Sequence, residues 1–137
     1  MPSYTADMRR IPREIVNEDM GWEVAGGRSF AEDIVAICAR IQKAVSPAAI
    51  ILFGSRARGT QGPDSDIDIL VLKNYQSPTG WLDIGARALC SLTDLSEAWS
   101  IDFDVLVTRP LMDGSPDVGR GLVYAVAARE GLLLYEE

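Results

Sequence analysis

The chain has no histidine among its 137 residues. A Ser-His-Asp or Cys-His catalytic site and any histidine-ligated zinc site are therefore excluded within it. Cysteine is nearly as scarce, with only Cys38 and Cys90. Two thiols cannot make a four-cysteine zinc site, and at 52 positions apart they read as two buried free thiols of a cytosolic protein. No apolar run approaches the roughly 20 residues that span a bilayer. The opening MPSYTADMRRIPRE places no apolar stretch behind its basic residues, so no secretory signal and no membrane are expected, and the expected localisation is cytoplasmic. Basic charge is also in deficit: 13 Lys and Arg against 20 Asp and Glu give a net charge of −7. A general phosphate-backbone binder is normally basic, so direct DNA binding is not expected.

What is present is the composition of a globular domain, 47% hydrophobic and 24% charged, long enough to bury a core without staples. Residues 1–28 are polar and interrupted by Pro2, Pro12, Gly21, Gly26 and Gly27, and read as an N-terminal arm with a short helix near Arg13–Met20. Arg9, Arg10 and Arg13 are expected in solvent there. From Ser29 the pattern becomes regular. Ser29 and Glu32 form a capping-box signature, and Phe30, Ile34, Ile37, Ile41 and Val45 recur at helical spacing until Ser46-Pro47. Ala49–Phe53 is a continuous apolar run suited to a buried strand. Asp66–Leu72 alternates, with Ile67, Ile69 and Val71 on one face and Asp66, Asp68, Leu70 and Leu72 on the other. Trp81, Ile84, Ala88, Leu92, Leu95 and Trp99 predict one long helix. Ile101–Thr108 alternates again, with Asp102, Asp104 and Leu106 sharing a face. Residues 117–130 predict a helix on Val118, Leu122, Ala125 and Val126, closed by Gly131, and Leu132–Tyr135 suits a last strand. This order predicts a small α/β (α+β) domain over residues 29–137: a mixed β-sheet flanked by helices.

The chemistry gathers between Phe53 and Leu70. Asp66 and Asp68 lie two apart on a strand and project to the same side, about 7 Å apart at the backbone. Like charges on a largely apolar strand repel, and a cation between them removes that cost. Magnesium suits the position, since it takes one or two carboxylates and completes its shell with water and substrate phosphates. If the Ile101–Thr108 strand is a neighbour, Asp102 and Asp104 join the cluster, an arrangement suited to two-metal phosphoryl or nucleotidyl transfer. Just upstream, Gly54-Ser55 leaves the buried strand and opens a short helix. Backbone N–H groups at such a start favour anions, and the missing side chain of Gly54 lets a phosphate approach. Ser55 adds a hydroxyl, and Arg56 and Arg58 stand close enough to help neutralise a triphosphate. Arg58 has a structural alternative, a salt bridge to Asp64. One substrate satisfies cradle and carboxylates together: a nucleoside triphosphate with magnesium.

Gly54-Ser55, ten residues, then Asp66-Ile67-Asp68 on a strand resembles the nucleotidyltransferase superfamily that includes DNA polymerase beta, and in this short chain its minimal prokaryotic members. Phe103–Thr108 resembles the family's third-carboxylate strand, and Arg129-Glu130-Gly131 with Leu134-Tyr135-Glu136 resembles its C-terminal ending. The resemblance implies the nucleotidyltransferase fold and a set of roles. Asp66 and Asp68 bind two magnesium ions, and Asp104 completes the site and helps deprotonate an acceptor hydroxyl. Gly54 and Ser55 hold the β and γ phosphates of ATP. Asp102 stands as the rival to Asp104, which matches the family strand better. Such proteins are often paired with a HEPN-domain protein, and some pairs act as toxin and antitoxin, the nucleotidyltransferase silencing its partner by moving AMP to a tyrosine (AMPylation). The implied assembly is a hetero-oligomer or a homodimer. Two other functions compete: a non-catalytic antitoxin or partner subunit that neutralises by contact, and transfer to a small molecule such as an aminoglycoside.

Overall fold

Ser29 opens the first helix as expected. Its hydroxyl accepts the Glu32 N–H at 3.1 Å, and α1 runs over Phe30–Val45. Its buried stripe is Phe30, Asp33, Ile37, Cys38, Ile41 and Val45. An aspartate thus occupies a position that the apolar periodicity would give to a hydrophobe. Ser46 closes the helix in the left-handed conformation, with its N–H on the Gln42 carbonyl. The computed structural model describes residues 9–10, 29–60, 62 and 65–137. The helix expected near Arg13–Met20 lies outside these residues, and so does Asp64. Arg9–Arg10, within the expected arm, forms a two-residue strand, β1.

After α1 come β2 (Ala49–Phe53), α2 (Ser55–Arg58) and β3 (Ile67–Leu72). Next are α3 (Gly80–Ser91), α4 (Thr93–Trp99), β4 (Phe103–Thr108), α5 (Leu122–Glu130) and β5 (Leu132–Glu136). The five strands form one sheet in the order β1-β5-β2-β3-β4. β2 is antiparallel to both β3 and β5, whereas β3–β4 and β1–β5 are parallel. The expected mixed sheet flanked by helices is the observed fold.

Strand alternation sorts the core into two layers. Ile50, Leu52, Ile67, Ile69 and Val71 face α1, α3 and α4, where Phe30, Ile37, Ile41, Ile84, Ala88, Leu95 and Trp99 close over them. Ala49, Ile51, Phe53, Leu70 and Leu72 face the other way, onto Tyr124 and Ala127 of α5. Each fully buried Ile or Leu contributes about 1.5–3 kcal/mol by leaving water. Among the described helices α1, α3, α4 and Ala57 of α2 pack on one face, and only α5 on the other. The thinner face is the one to which Asp68 belongs by alternation with Leu70 and Leu72.

Three expectations need correction. The helix from Trp81 to Trp99 is two helices, broken at Leu92. The Ser91 hydroxyl bonds the Ala88 carbonyl at 2.6 Å and the Thr93 hydroxyl bonds the Cys90 carbonyl at 2.9 Å, while the Leu92 N–H bonds Leu89, three residues back. These local bonds interrupt the i→i−4 ladder. The last helix starts at Leu122, not 117. Asp117 Oδ1 accepts the Gly119 N–H and Gly121 has φ 152°, so Val118 and Leu122 are exposed and Tyr124 and Ala127 do the packing. Finally, Cys38 is buried but Cys90 is exposed; both thiols are free. Gly131 does end α5, in extended conformation (φ −70°, ψ 158°). A Cβ there would fall on Ile51 and on the Ala127 carbonyl, so glycine is required by close packing.

Candidate active site

Gly54 links β2 to α2 with φ 77° and ψ −159°, a conformation essentially confined to glycine. There is a second reason for glycine. A Cβ at this position would fall on the Oδ2 of Asp68. The backbone of the turn therefore lies directly against the carboxylate, a contact set by the β2–β3 register, which pairs Phe53 with Asp68. Ser55 begins α2, whose turn closes through Ala57 and Arg58 N–H groups on the Gly54 carbonyl at 3.1 and 3.2 Å. Gly59 in the left-handed conformation and Thr60 then return their N–H groups to the Ser55 carbonyl.

Asp68 is flanked on its other side by β4. The parallel register pairs it with Asp104, and the same geometry lets Ile67 donate its N–H to the Asp102 carbonyl at 2.9 Å. Asp66 and Asp104 are exposed, whereas Asp68 is half-buried. Burial, then the charge of Asp104, then that of Asp66 push the Asp68 carboxyl up to about 6, against the opposing pull of Arg58 and Arg56. The β3–β4 register thus sets Asp104 beside Asp68, and the charges that bear on Asp68 include Asp104 and not Asp102. The site brings together Gly54, Asp66, Asp68, Asp104 and Arg58.

Arg56 behaves differently from the expectation of a phosphate contact. It is 2% exposed, and its Nε donates to the Ser65 carbonyl at 2.9 Å. Burial lowers its pKa, and the carboxylates opposing that shift are Asp33 first, then Asp66 and Asp68. It lies beneath the site rather than facing a ligand in solvent. Arg58 faces outward. Its Nη1 is 3.3 Å from Glu130 Oε2, with the two side chains 45% and 39% exposed, so its partner is Glu130 at the end of α5. Reasoning from the sequence missed both Asp33 and Glu130. Asp33 carried a readable signal, since it stands three residues after Phe30 and four before Ile37, on the buried stripe of α1.

Among the described residues, no three acidic or thiol side chains are placed to hold a metal ion by themselves. The donor set nonetheless fits magnesium. Magnesium is bound by one or two carboxylates and takes its remaining ligands from water and phosphate, so it needs no all-protein cage. A half-buried carboxylate pushed up to about 6 by burial and then by its acidic neighbours is short of positive charge, and Gly54 sets a bare backbone beside it.

Residues 32–88 match the family model of the nucleotidyltransferase domain. The nucleotidyltransferase match runs from the first turn of α1 into α3 and contains Gly54, Ser55, Arg56, Arg58, Asp66 and Asp68, with Asp104 beyond its end. The fold is shared with a solved chain from a crystal structure of a toxin–antitoxin with AMP-PNP. The TM-score is 0.51 at 20% identity, covering 77% of this chain and 74% of that one. No curated protein matches the chain significantly. No helix among the described residues is long and apolar enough to cross a membrane.

Proposed function

We propose that this protein is a cytoplasmic, magnesium-dependent nucleotidyltransferase that moves AMP from ATP to a hydroxyl of a partner protein. In this reading residues 29–137 are the catalytic domain and 1–28 an arm. The observation that carries it is the contact between the Gly54 turn and Asp68, with Asp104 paired alongside. A triphosphate lying over Gly54 and Ser55 would place its α-phosphorus beside this carboxylate cluster. Asp66 and Asp68 would hold the divalent cations. Bound there, these supply positive charge to the attacking and leaving oxygens. Arg58 adds a guanidinium at the phosphate side.

Asp104 orients the acceptor hydroxyl and receives its proton. The oxygen then bonds to the α-phosphorus, the bond to the β-phosphate oxygen breaks, and pyrophosphate leaves. The sequence resemblance points to a tyrosine of a HEPN-domain toxin, in a hetero-oligomer where this chain is the antitoxin, and the shared fold of a chain in a toxin–antitoxin structure is in line with that.

The test is incubation of ATP labelled on the α-phosphate with magnesium, this protein and the product of the neighbouring gene. Label is expected on the neighbour and absent with Asp66→Asn/Asp68→Asn. No label, with tight complex formation by both versions, would overturn the catalytic reading in favour of neutralisation by contact. Turnover on a free small-molecule acceptor without any partner would overturn the protein acceptor.

A further inference from the structure

Asp33 is a titratable group for which the transfer chemistry has no use, yet it is 0% exposed in the first turn of α1. Arg56, at 2% exposure, is the buried cation closest to it in effect. A carboxylate and a guanidinium are almost never fully buried unless paired, because taking either out of water is costly. The pair is also oddly situated for a purely structural one. Arg56 reaches the Ser65 carbonyl, the residue immediately before Asp66, and its charge bears on Asp66 and Asp68 as well as on Asp33. One buried guanidinium, held at the residue before Asp66, thus feels the charge of three carboxylates. Two of them belong to the site, and the third comes from the helical layer on the opposite face of the sheet from Asp68.

A guanidinium beside two carboxylates of a metal site has an obvious alternative: to close on them as an ion pair and occupy the place of the cation. Its planar fork favours bidentate pairing with a carboxylate. We infer that Asp33 is a positioning residue that engages Arg56 from the α1 side and keeps this guanidinium from closing on Asp66 and Asp68, leaving the two carboxylates to a divalent cation. Arg56 then holds the backbone at Ser65 through its carbonyl without competing for the site. The inference rests on the reading of Asp66 and Asp68 as cation ligands.

The experiment is a titration of the whole chain with Mn²⁺ alone, followed by electron paramagnetic resonance, on wild type, Asp33→Asn, Asp33→Asn/Arg56→Gln and Asp68→Asn. Thermal melts accompany each protein. Releasing one full charge toward the carboxylates is expected to weaken Mn²⁺ binding about tenfold in Asp33→Asn. Removing that charge in the double variant is expected to restore affinity to within about threefold of wild type, which a loss of packing alone would not do. Wild-type affinity in Asp33→Asn, or a double variant as weak as the single one, would overturn the inference. Should Asp33→Asn fail to fold, the double variant, with no unpaired buried charge, still decides: weak binding by a folded double variant overturns it. Equal binding by wild type and Asp68→Asn would instead remove the reading of the site on which the inference stands.

Discussion

Replacing Asp68 by Asn is expected to stabilise the protein while abolishing its chemistry. The Asp68 carboxyl is raised from 3.8 to about 6 by burial and by Asp104 and Asp66. A raised carboxyl means that the folded state prefers the neutral form. The stability associated with this group is therefore full below its unfolded value, near 3.8, and is lost as pH rises through about 6. About two pH units correspond to about 3 kcal/mol at 1.36 kcal/mol per unit. The group is only half-buried, and solvent screening reduces this to about 1.5 kcal/mol. Asparagine keeps the shape and cannot ionise. In a magnesium-free buffer at pH 7.5 the variant should melt about 4–8 °C above wild type. At pH 4 the gap should shrink to about a third, because the wild-type carboxyl is then largely neutral in the folded state. Millimolar magnesium should raise the wild-type melting temperature at pH 7.5 and leave the variant unmoved. An Asn variant that melts at or below wild type at pH 7.5, or a gap of equal size at both pH values, would refute the reasoning.

Other substitutions test other parts of the account. Gly54→Ala puts a Cβ onto Asp68 Oδ2 at a positive φ, and should cost about 1–3 kcal/mol in a denaturant titration and abolish ATP binding by calorimetry; wild-type behaviour in both would contradict the turn geometry. Arg58→Ala should raise the KM for ATP about tenfold with little effect on stability, since its exposed pair with Glu130 contributes under about 1 kcal/mol; an unchanged KM removes Arg58 from the phosphate side. Ile69, wholly buried beside Asp68, should cost about 2–5 kcal/mol when changed to Ala, measured by urea unfolding. At pH 8 a thiol reagent should modify exposed Cys90 readily and buried Cys38 only on unfolding, because burial pushes the Cys38 thiol up to about 12; two fast thiols would show the core to be open there.

The sheet was legible because its strands announce themselves by local rules. Ala49–Phe53 is apolar on both sides, and the alternations of Asp66–Leu72 and Ile101–Thr108 assign the two core layers with Asp68 and Asp104 on one of them. What was not legible depends on contacts distant in sequence or on competition between local bonds. The stripe through Leu92, Leu95 and Trp99 stays helical in period while the Ser91 and Thr93 hydroxyls break the backbone ladder beneath it. Cys90 lies two positions beyond Ala88, on the solvent side of the now shorter α3. The pairing of Asp68 with Asp104 needed the parallel β3–β4 register, and nothing near Arg56 in sequence indicates that the charge of Asp33 bears on it. The Gly-Ser turn and Asp-x-Asp pair could be read as a motif, whereas the division between Arg58 facing outward and Arg56 buried could not.

The most direct test of the central claim is a crystal structure of this protein grown with Mn²⁺ and AMP-PNP, with diffraction recorded for the anomalous signal of manganese. The account predicts anomalous peaks within bonding distance of Asp66 and Asp68, with the triphosphate over the Gly54–Ser55 turn and its α-phosphorus facing Asp104. A nucleotide bound elsewhere, or an Asp66–Asp68 pair without manganese beside it, would contradict the account.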